Sequence, residues 1–111
     1  MSSFHSADNK RLKFLNVPVN QTASLGTNVT FNCTVTGYPE PTITWEKVNN
    51  SGSVQYNLTA AILPGDGSSI FSQLGIKEVE SKDYGTYRCV AKNSVDKKIA
   101  IAVLGDRKSV V

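Results

Sequence analysis

The stretch Asp83-Tyr84-Gly85-Thr86-Tyr87-Arg88-Cys89 decides the fold of this chain. Its side chains alternate with the period of two that a half-buried β-strand requires, and a tyrosine stands two residues before the cysteine. An earlier stretch, Val29-Thr30-Phe31-Asn32-Cys33-Thr34-Val35, alternates in the same way with Cys33 on its apolar side. Ile43-Thr44-Trp45 lies between the two. The three stretches predict three strands that direct both cysteines and the tryptophan into one interior.

The remaining sequence continues this succession of short strands and turns, without a helical period. Candidate strands cover 10–19, 28–36, 42–48, 54–63, 69–76, 84–92 and 95–104, and 54–63 reads as one strand or two. Pro18 breaks the first strand and fits a change from one sheet to the other, because proline is tolerated only at a sheet edge or bulge. Asn93-Ser94 predicts a short hairpin turn before the last strand. The pattern predicts an all-β fold: a two-sheet antiparallel sandwich with Greek-key connections and eight or nine strands.

Length and composition indicate a single domain. We assign a flexible tail to 1–9, the folded domain to 10–105 and a polar tail to 106–111 of the 111 residues. The formal net charge is only +3 and no basic run is interleaved with aromatic residues, so nucleic acid is not an expected partner. No apolar stretch approaches the ~20 residues of a membrane span, so we expect no direct membrane insertion. The first fifteen residues lack the apolar core of a signal peptide, so the chain is expected to be part of a longer protein that carries any export signal.

The sequence offers no catalytic constellation. His5 is the single histidine and lies in the predicted tail, so a serine or cysteine nucleophile would have no base. A zinc site would need more ligands than Cys33 and Cys89, and no acidic residues have the spacing of a calcium loop. The turn at 64–68 lacks the Gly-Lys-Ser/Thr ending of a phosphate loop. We therefore predict no enzyme activity, no cofactor and no metal.

The combined motifs identify a family. The run Asp83-x-Gly85-x-Tyr87-x-Cys89, with Cys33 and Trp45 upstream, resembles the immunoglobulin superfamily over about residues 12–104. Within that family the chain resembles the I-set, on three features: Gly37-x-Pro39-x-Pro41 before Trp45, the short segment from Trp45 to Ile70, and Val90-Ala91-Lys92-Asn93. The chain departs from the family pattern at one place. Many members have a basic residue at the start of the fourth strand that pairs with the equivalent of Asp83, and 60–63 contains no basic residue.

The resemblance implies structural roles for these residues. It implies a disulfide between Cys33 and Cys89 that joins the two sheets, with Trp45 packed on it. Tyr87 is expected to return its hydroxyl to the backbone at 79–83, while Asp83 accepts backbone N–H groups at the same corner and Gly85 allows close passage of the chain. A bond that closes a loop of more than fifty residues is worth about 4 kcal/mol, and it places the protein in an oxidising compartment.

The family resemblance also implies the class of function. It favours an extracellular recognition or adhesion module, one domain of a cell-surface or secreted glycoprotein or receptor, that binds a protein partner homophilically or heterophilically. Two alternatives remain open: a structural spacer in a tandem array, and an intracellular muscle-filament module. Trp45-x-Lys47-Val48 with Leu63-Pro64-Gly65-Asp66 also resembles the immunoglobulin domain of secreted growth-factor-binding-protein-related molecules. Five Asn-x-Ser/Thr sequons are N-glycosylation candidates and favour the extracellular interpretation: Asn20, Asn28, Asn32, Asn49 and Asn57.

Three surfaces are candidates for binding. The first is the outer face of the sheet that carries the last strands, predicted to present Arg88, Val90, Lys92, Ala100, Ala102 and Leu104, with Ile99, Ile101 and Val103 on the other side. The second combines the end loops at 49–53 and 64–68. The third is a basic patch for an acidic glycan, formed by Lys92, Lys97 and Lys98 with Arg107 and Lys108.

Overall fold

A computed structural model of the chain describes residues 12–49, 51–58, 60–64 and 69–106. This part of the chain folds into nine strands and one turn of 3₁₀ helix. The strands are β1 (Lys13–Asn16), β2 (Gln21–Ala23), β3 (Val29–Thr36), β4 (Thr42–Val48), β5 (Val54–Leu58), β6 (Ala61–Pro64), β7 (Ser69–Ile76), β8 (Gly85–Lys92) and β9 (Lys97–Asp106). The 3₁₀ turn, Ser81–Asp83, precedes β8.

The strands form two sheets that pack face to face. One sheet has the order β1-β3-β7-β6 and the other β2-β9-β8-β4-β5. All the pairings are antiparallel except that of β2 with β9, which is parallel. The chain changes sheet between β1 and β2, where buried Pro18 interrupts the ladder. The predicted two-sheet sandwich is confirmed.

The core lies between the sheets and follows the alternation read from the sequence. Along β3, the residues with apolar side chains are buried and the residues between them face outward or lie partly covered. Cys33 on β3 and Cys89 on β8 form a disulfide between the sheets, as expected, with a sequence separation of 56. Phe31 packs against the rings of Trp45 and Tyr87, with ring centroids 6.5 and 5.3 Å away.

A hydrogen bond joins the sheets in the same layer as the disulfide. Trp45 is paired with Cys89 on the neighbouring strand, and Ser72 is paired with Cys33. The indole Nε1–H of Trp45 donates to Ser72 Oγ over 2.9 Å, and that hydroxyl donates to the carbonyl of Ala61 over 2.8 Å. The disulfide and this hydrogen bond therefore lie side by side between the sheets. The buried indole N–H has a hydrogen-bond partner in Ser72, so its burial leaves no donor unsatisfied.

The corner before β8 is built from a small set of polar contacts. The hydroxyl of buried Tyr87 donates to the carbonyl of Asp83 four residues earlier. The carboxylate of Asp83 accepts the N–H of Glu80 at 2.8 Å and lies 3.4 Å from the ammonium of neighbouring Lys82. Buried Val79 exchanges backbone hydrogen bonds with the turn at 26–27. The corner is therefore tied both to its own strand and to the adjacent loop.

Two boundaries differ from the sequence prediction. The last strand begins at Lys97 rather than at Val95, because Asn93 organises a longer turn: its Oδ1 accepts the N–H groups of Val95 and Asp96, and its own N–H donates to the carbonyl of Asp96. The first strand ends at Asn16 rather than at Val19, so Val17 lies beyond it and is 46% exposed.

Candidate binding face on the five-stranded sheet

The pairing of β8 with β9 determines which side chains face outward. Cys89 and Tyr87 point into the core, and their partners on β9 are Ala100 and Ala102. Ala102 is fully buried, as is Leu104, and Ala100 packs against the core. The prediction that Ala100, Ala102 and Leu104 lie on the outer face is therefore wrong. The outer side of β9 carries the residues that we had placed on the opposite side.

The error has a physical cause. Both sides of β9 are apolar, so hydrophobic periodicity does not distinguish them, and the larger side chains looked like the core side. The hairpin carries the deciding signal. A loop with an even number of residues, whether the predicted two or the observed four at 93–96, sets even positions of β9 opposite odd positions of β8. Because paired residues share a face, inward Cys89 requires inward Ala100.

Three β-branched side chains form an exposed apolar row along β9, which we call the β9 stripe: Ile99, Ile101 and Val103. They are 42, 60 and 41% exposed. Val90, the partner of Ile99, lies on the same outer face but is only 7% exposed, so it forms the floor beside the stripe rather than a free contact. Because the three side chains are contiguous, the β9 stripe is a candidate interaction surface.

An ion pair borders the β9 stripe. Arg88 is paired across the strands with Ile101 on one side and Glu46 on the other. Its Nε donates to Glu46 Oε1 over 2.9 Å, and its Nη2 contacts the same oxygen. The two side chains are only 23 and 19% exposed. The face is therefore apolar along β9 and carries a partly covered pair of opposite charges along β8 and β4.

The predicted basic patch is only partly assembled. Lys92 and Lys97 pair directly on the outer face, at the end of the β9 stripe beside Ile99. Lys98 pairs with buried Ala91 and so belongs to the opposite side of β9. The remaining predicted members, Arg107 and Lys108, lie outside the described residues. The patch reduces to two neighbouring ammonium groups.

The end-loop candidate is described in one half. Asn49 caps the turn after β4, where its Oδ1 accepts the N–H groups of Ser51 and Ser53 and the hydroxyl of Ser51. Of the second half, 65–68 lies outside the described residues. The turn is thus an Asx motif, in which the side chain of Asn49 already accepts hydrogen bonds from the turn's own described residues.

The five sequons are distributed unevenly over the molecule, and all five asparagines are exposed. Asn32 lies on the outer face of the four-stranded sheet, where its Oδ1 accepts from Gln73 at 3.0 Å. Asn57 is paired with Glu46 at the β5 edge of the five-stranded sheet. Asn20 lies beside the β9 stripe, because its Oδ1 accepts the N–H of Val103 at 2.9 Å. Asn28 accepts the N–H of Glu78, and Asn49 caps its turn.

One titratable group at the far end of β8 is perturbed. The phenol of Tyr84 donates to the carbonyl of Ala23 over 2.8 Å. Desolvation, and then the charge and hydrogen bonding of Asp106 and the charge of Asp83, raise the pKa of this phenol. The perturbation therefore has a local cause, the burial of the phenol beside two carboxylates.

A metal centre and a membrane-spanning helix are two further features that a functional chain could contain. Within 12–49, 51–58, 60–64 and 69–106, no three His, Cys, Asp or Glu side chains gather as metal ligands. No helix in this part of the chain has the length and apolarity needed to cross a bilayer. His5 and the tails lie outside it.

Two known proteins are similar to this chain in sequence. Lachesin of Drosophila melanogaster is 42% identical over 89 residues, which is 79% of this chain and 20% of Lachesin. Neural cell adhesion molecule 1 of Homo sapiens is 37% identical over 82 residues, 74% of this chain and 9% of that protein. The chain thus spans a fifth or less of the length of these two relatives.

Solved structures and a family model agree with the fold. A complex of Dpr2 Ig1-Ig2 with DIP-Theta Ig1-Ig3 matches with a TM-score of 0.71 and 26% identity, over 86% of this chain and 32% of that one. The titin M3 domain matches with a TM-score of 0.65 and 24% identity, over 87% of this chain and 97% of that one, which supports the fold alone. The family model described as "Immunoglobulin domain" matches residues 13–93. The chain therefore belongs to the immunoglobulin domain family.

Proposed function

We propose that this domain is an extracellular recognition module that binds a protein partner through the outer face of its five-stranded sheet. The observation that carries the proposal is the β9 stripe, three exposed β-branched side chains in one row beside a partly covered ion pair. Apolar contacts supply the affinity of such a surface, and the charged pair supplies orientation. The similarity to neural cell adhesion molecule 1, and the complex of Dpr2 with DIP-Theta among the matched structures, support a protein as the partner.

The position of the sequons supports the choice of face. A glycan on Asn32 would stand at the centre of the outer face of the four-stranded sheet and would hinder a partner there. Asn57 is on the same outer face as the β9 stripe, but it lies at the β5 edge of the sheet, three strands from β9 and about 14 Å away at the usual strand spacing. Asn20 is the exception, because a glycan there would cover the Val103 end of the β9 stripe. We therefore expect Asn32 to be occupied and Asn20 to be largely unoccupied in binding-competent protein.

Multivalent display tests the proposal without a known partner. Beads coated with the domain are scored for aggregation with one another and for attachment to cells that express the protein. We expect Ile101→Arg to abolish whichever of the two is seen with the wild type. Gln73→Arg, on the exposed outer face of the other sheet, is the matched control and should leave binding unchanged. Binding that survives Ile101→Arg would contradict the assignment of the face.

A structural spacer is the second candidate function, and the same beads separate it from recognition. A spacer predicts neither aggregation nor attachment, and it predicts a strict monomer in sedimentation at all concentrations. The titin M3 domain has the same fold, so the fold by itself does not exclude this alternative. The β9 stripe argues against it, because a domain that only positions its neighbours has no need of an exposed apolar row.

The compartment is tested by the state of the cysteines and by the glycans. Protein isolated from its native source should contain no free thiol, because Cys33 and Cys89 are bonded. Two free thiols would favour the intracellular muscle-filament alternative. Mass spectrometry of the same material gives the occupancy of the five sequons, and complete occupancy of Asn20 would contradict an open β9 stripe.

A further inference from the structure

Lys47 is buried on the inner side of β4 at the end of the core. It continues the row of inward residues that begins with Ile43 and Trp45, and it is only 4% exposed. Its Nζ donates to Gln55 Oε1 over 3.2 Å and lies 5.7 Å from the centroid of the Tyr87 ring. Among the described residues, no carboxylate lies within ion-pairing distance of Nζ. A lysine this deeply covered without an acidic partner is unusual.

The two partners do not compensate the charge fully. An ammonium group has three N–H donors, and Gln55 accepts from one of them. The face of the Tyr87 ring attracts a cation but is no substitute for a charged acceptor. A buried ammonium that is short of acceptors carries a large desolvation cost, which an anion beside it would offset.

A cavity of about 260 Å³ adjoins this ammonium group, and we call it the Lys47 pocket. Lys82, Ser81 and Asn49 also line it, and none of its lining residues is acidic. Gly85 lines the same cavity at a φ of +139°, and a Cβ there would approach Nζ to 2.8 Å. The backbone conformation favours glycine at this position, and a larger residue would also displace the end of the Lys47 side chain.

We propose that the Lys47 pocket binds a single oxyanion, a carboxylate or a sulfate, held by the ammonium group of Lys47. Lys82 stands at the rim, where its own ammonium already lies 3.4 Å from the carboxylate of Asp83. A floor of fixed positive charge and a rim of hydrogen-bond donors fit that chemistry and no cation. The pocket is at the Gly85 end of β8, whereas Lys92 and Lys97 lie at the other end of that hairpin. The site is therefore separate from the basic patch and from the β9 stripe, and it does not depend on the proposed function.

Amide chemical shifts of the ¹⁵N-labelled domain test the proposal. Sodium sulfate and sodium acetate are titrated separately, with sodium chloride lowered to hold the ionic strength constant. We expect saturable shifts at Tyr84 and Gly85 with at least one of the two anions, and the tighter anion identifies the group as sulfate or carboxylate. Shifts that do not saturate, or that chloride alone reproduces, would overturn the proposal in the wild-type protein without any variant.

Three variants then locate the binding. Lys47→Met keeps an unbranched apolar stem and removes the charge, so the dissociation constant should rise about 10- to 100-fold, the usual worth of a charge-assisted hydrogen bond. Lys82→Met, on the exposed rim, should raise it only about threefold. Lys97→Met, outside the pocket on β9, should leave it unchanged. Equal affinity in wild type and Lys47→Met would overturn the assignment to Lys47.

Discussion

The two outer faces of the sandwich differ in what they present. The centre of the four-stranded face is polar, with Thr30, Asn32 and Gln73 on neighbouring strands and Gly75 adding no side chain. The five-stranded face presents the β9 stripe and the Glu46–Arg88 pair. In both sheets, alternate residues point into the core and the residues between them form the outer face. The core therefore accounts for the fold, and the difference between the faces is the basis for proposing the five-stranded face as the binding face.

The four-stranded face also has one apolar region of its own, at its β6 edge. Phe71 is partly buried there and pairs with Leu63, which is 52% exposed. Asn32 lies one row away on the same face, because it pairs with Gln73 two residues along β7 from Phe71. A glycan on Asn32 would crowd this region. The comparison therefore predicts that the apolar edge at Leu63 is shielded while the β9 stripe is open.

The largest expected effect concerns the disulfide in the core, on which both outer faces depend. Replacing both bonded cysteines, Cys33→Ala with Cys89→Ala, should lower the free energy of unfolding by about 4 kcal/mol, because the bond joins residues with a sequence separation of 56. Guanidinium unfolding measures the loss. Hydrogen exchange should show the amides of Ile101 and Gln73 losing protection together. A loss confined to one sheet would contradict a common support.

The next effect concerns the corner that fixes β8. Tyr87→Phe removes the hydroxyl that donates to the carbonyl of Asp83 and should cost about 1–3 kcal/mol. Thermal and urea unfolding measure it. Tyr38→Phe, at a tyrosine that is 61% exposed, is the matched control and should cost little. An unchanged midpoint for Tyr87→Phe would show that the hydroxyl contributes nothing to the corner.

Sequence patterns predict which residues lie in the core better than they predict which residues lie on the outer faces. Cys33, Trp45 and Tyr87 were placed in the interior because large apolar side chains there alternate with polar neighbours. On β9 both sides are apolar, so side-chain size gave the wrong side, and only the pairing with Cys89 identifies Ile101 as outward. The hydrogen bond of Trp45 to Ser72 depends on how two sheets pack, and no spacing in the sequence encodes it.

The Lys47 pocket was equally hidden. Lys47 follows Trp45 by two positions, so the alternation would place it inward, yet lysine is ordinarily read as a surface residue. Its path becomes visible only when Gly85 and Tyr87 lie beside it in three dimensions. Sites that depend on contacts between strands distant in sequence are those that a single chain's pattern does not reveal.

A smaller effect sharpens the comparison on the five-stranded face. A double-mutant cycle with Glu46→Gln and Arg88→Met should give a coupling energy of about 0.5–1 kcal/mol, because each side chain retains about a fifth of its exposure and solvent screens the pair. Coupling should weaken in high salt. Zero coupling at low salt would mean that the pair does not help to orient this face.

The smallest effect is alkaline. Because the pKa of Tyr84 is raised in the folded protein, its contribution to stability is complete below the unfolded value of 10.0 and is lost as the pH rises through the folded value. Melting midpoints at about pH 8 and about pH 11 measure this loss. Tyr84→Phe should lower the midpoint at neutral pH, since the bond to Ala23 is gone, and should flatten the alkaline fall. An alkaline fall as steep as in the wild type would exclude Tyr84 as its source.

Site-specific photo-crosslinking tests the difference between the two faces most directly. A photoreactive amino acid is placed at Ile101, at Gln73 or at Leu63 in the protein displayed on its cells, and covalent protein adducts are counted after irradiation. We predict adducts from position 101, and few from positions 73 and 63. Adducts that form chiefly from position 73 or 63 would contradict the assignment of recognition to the five-stranded face.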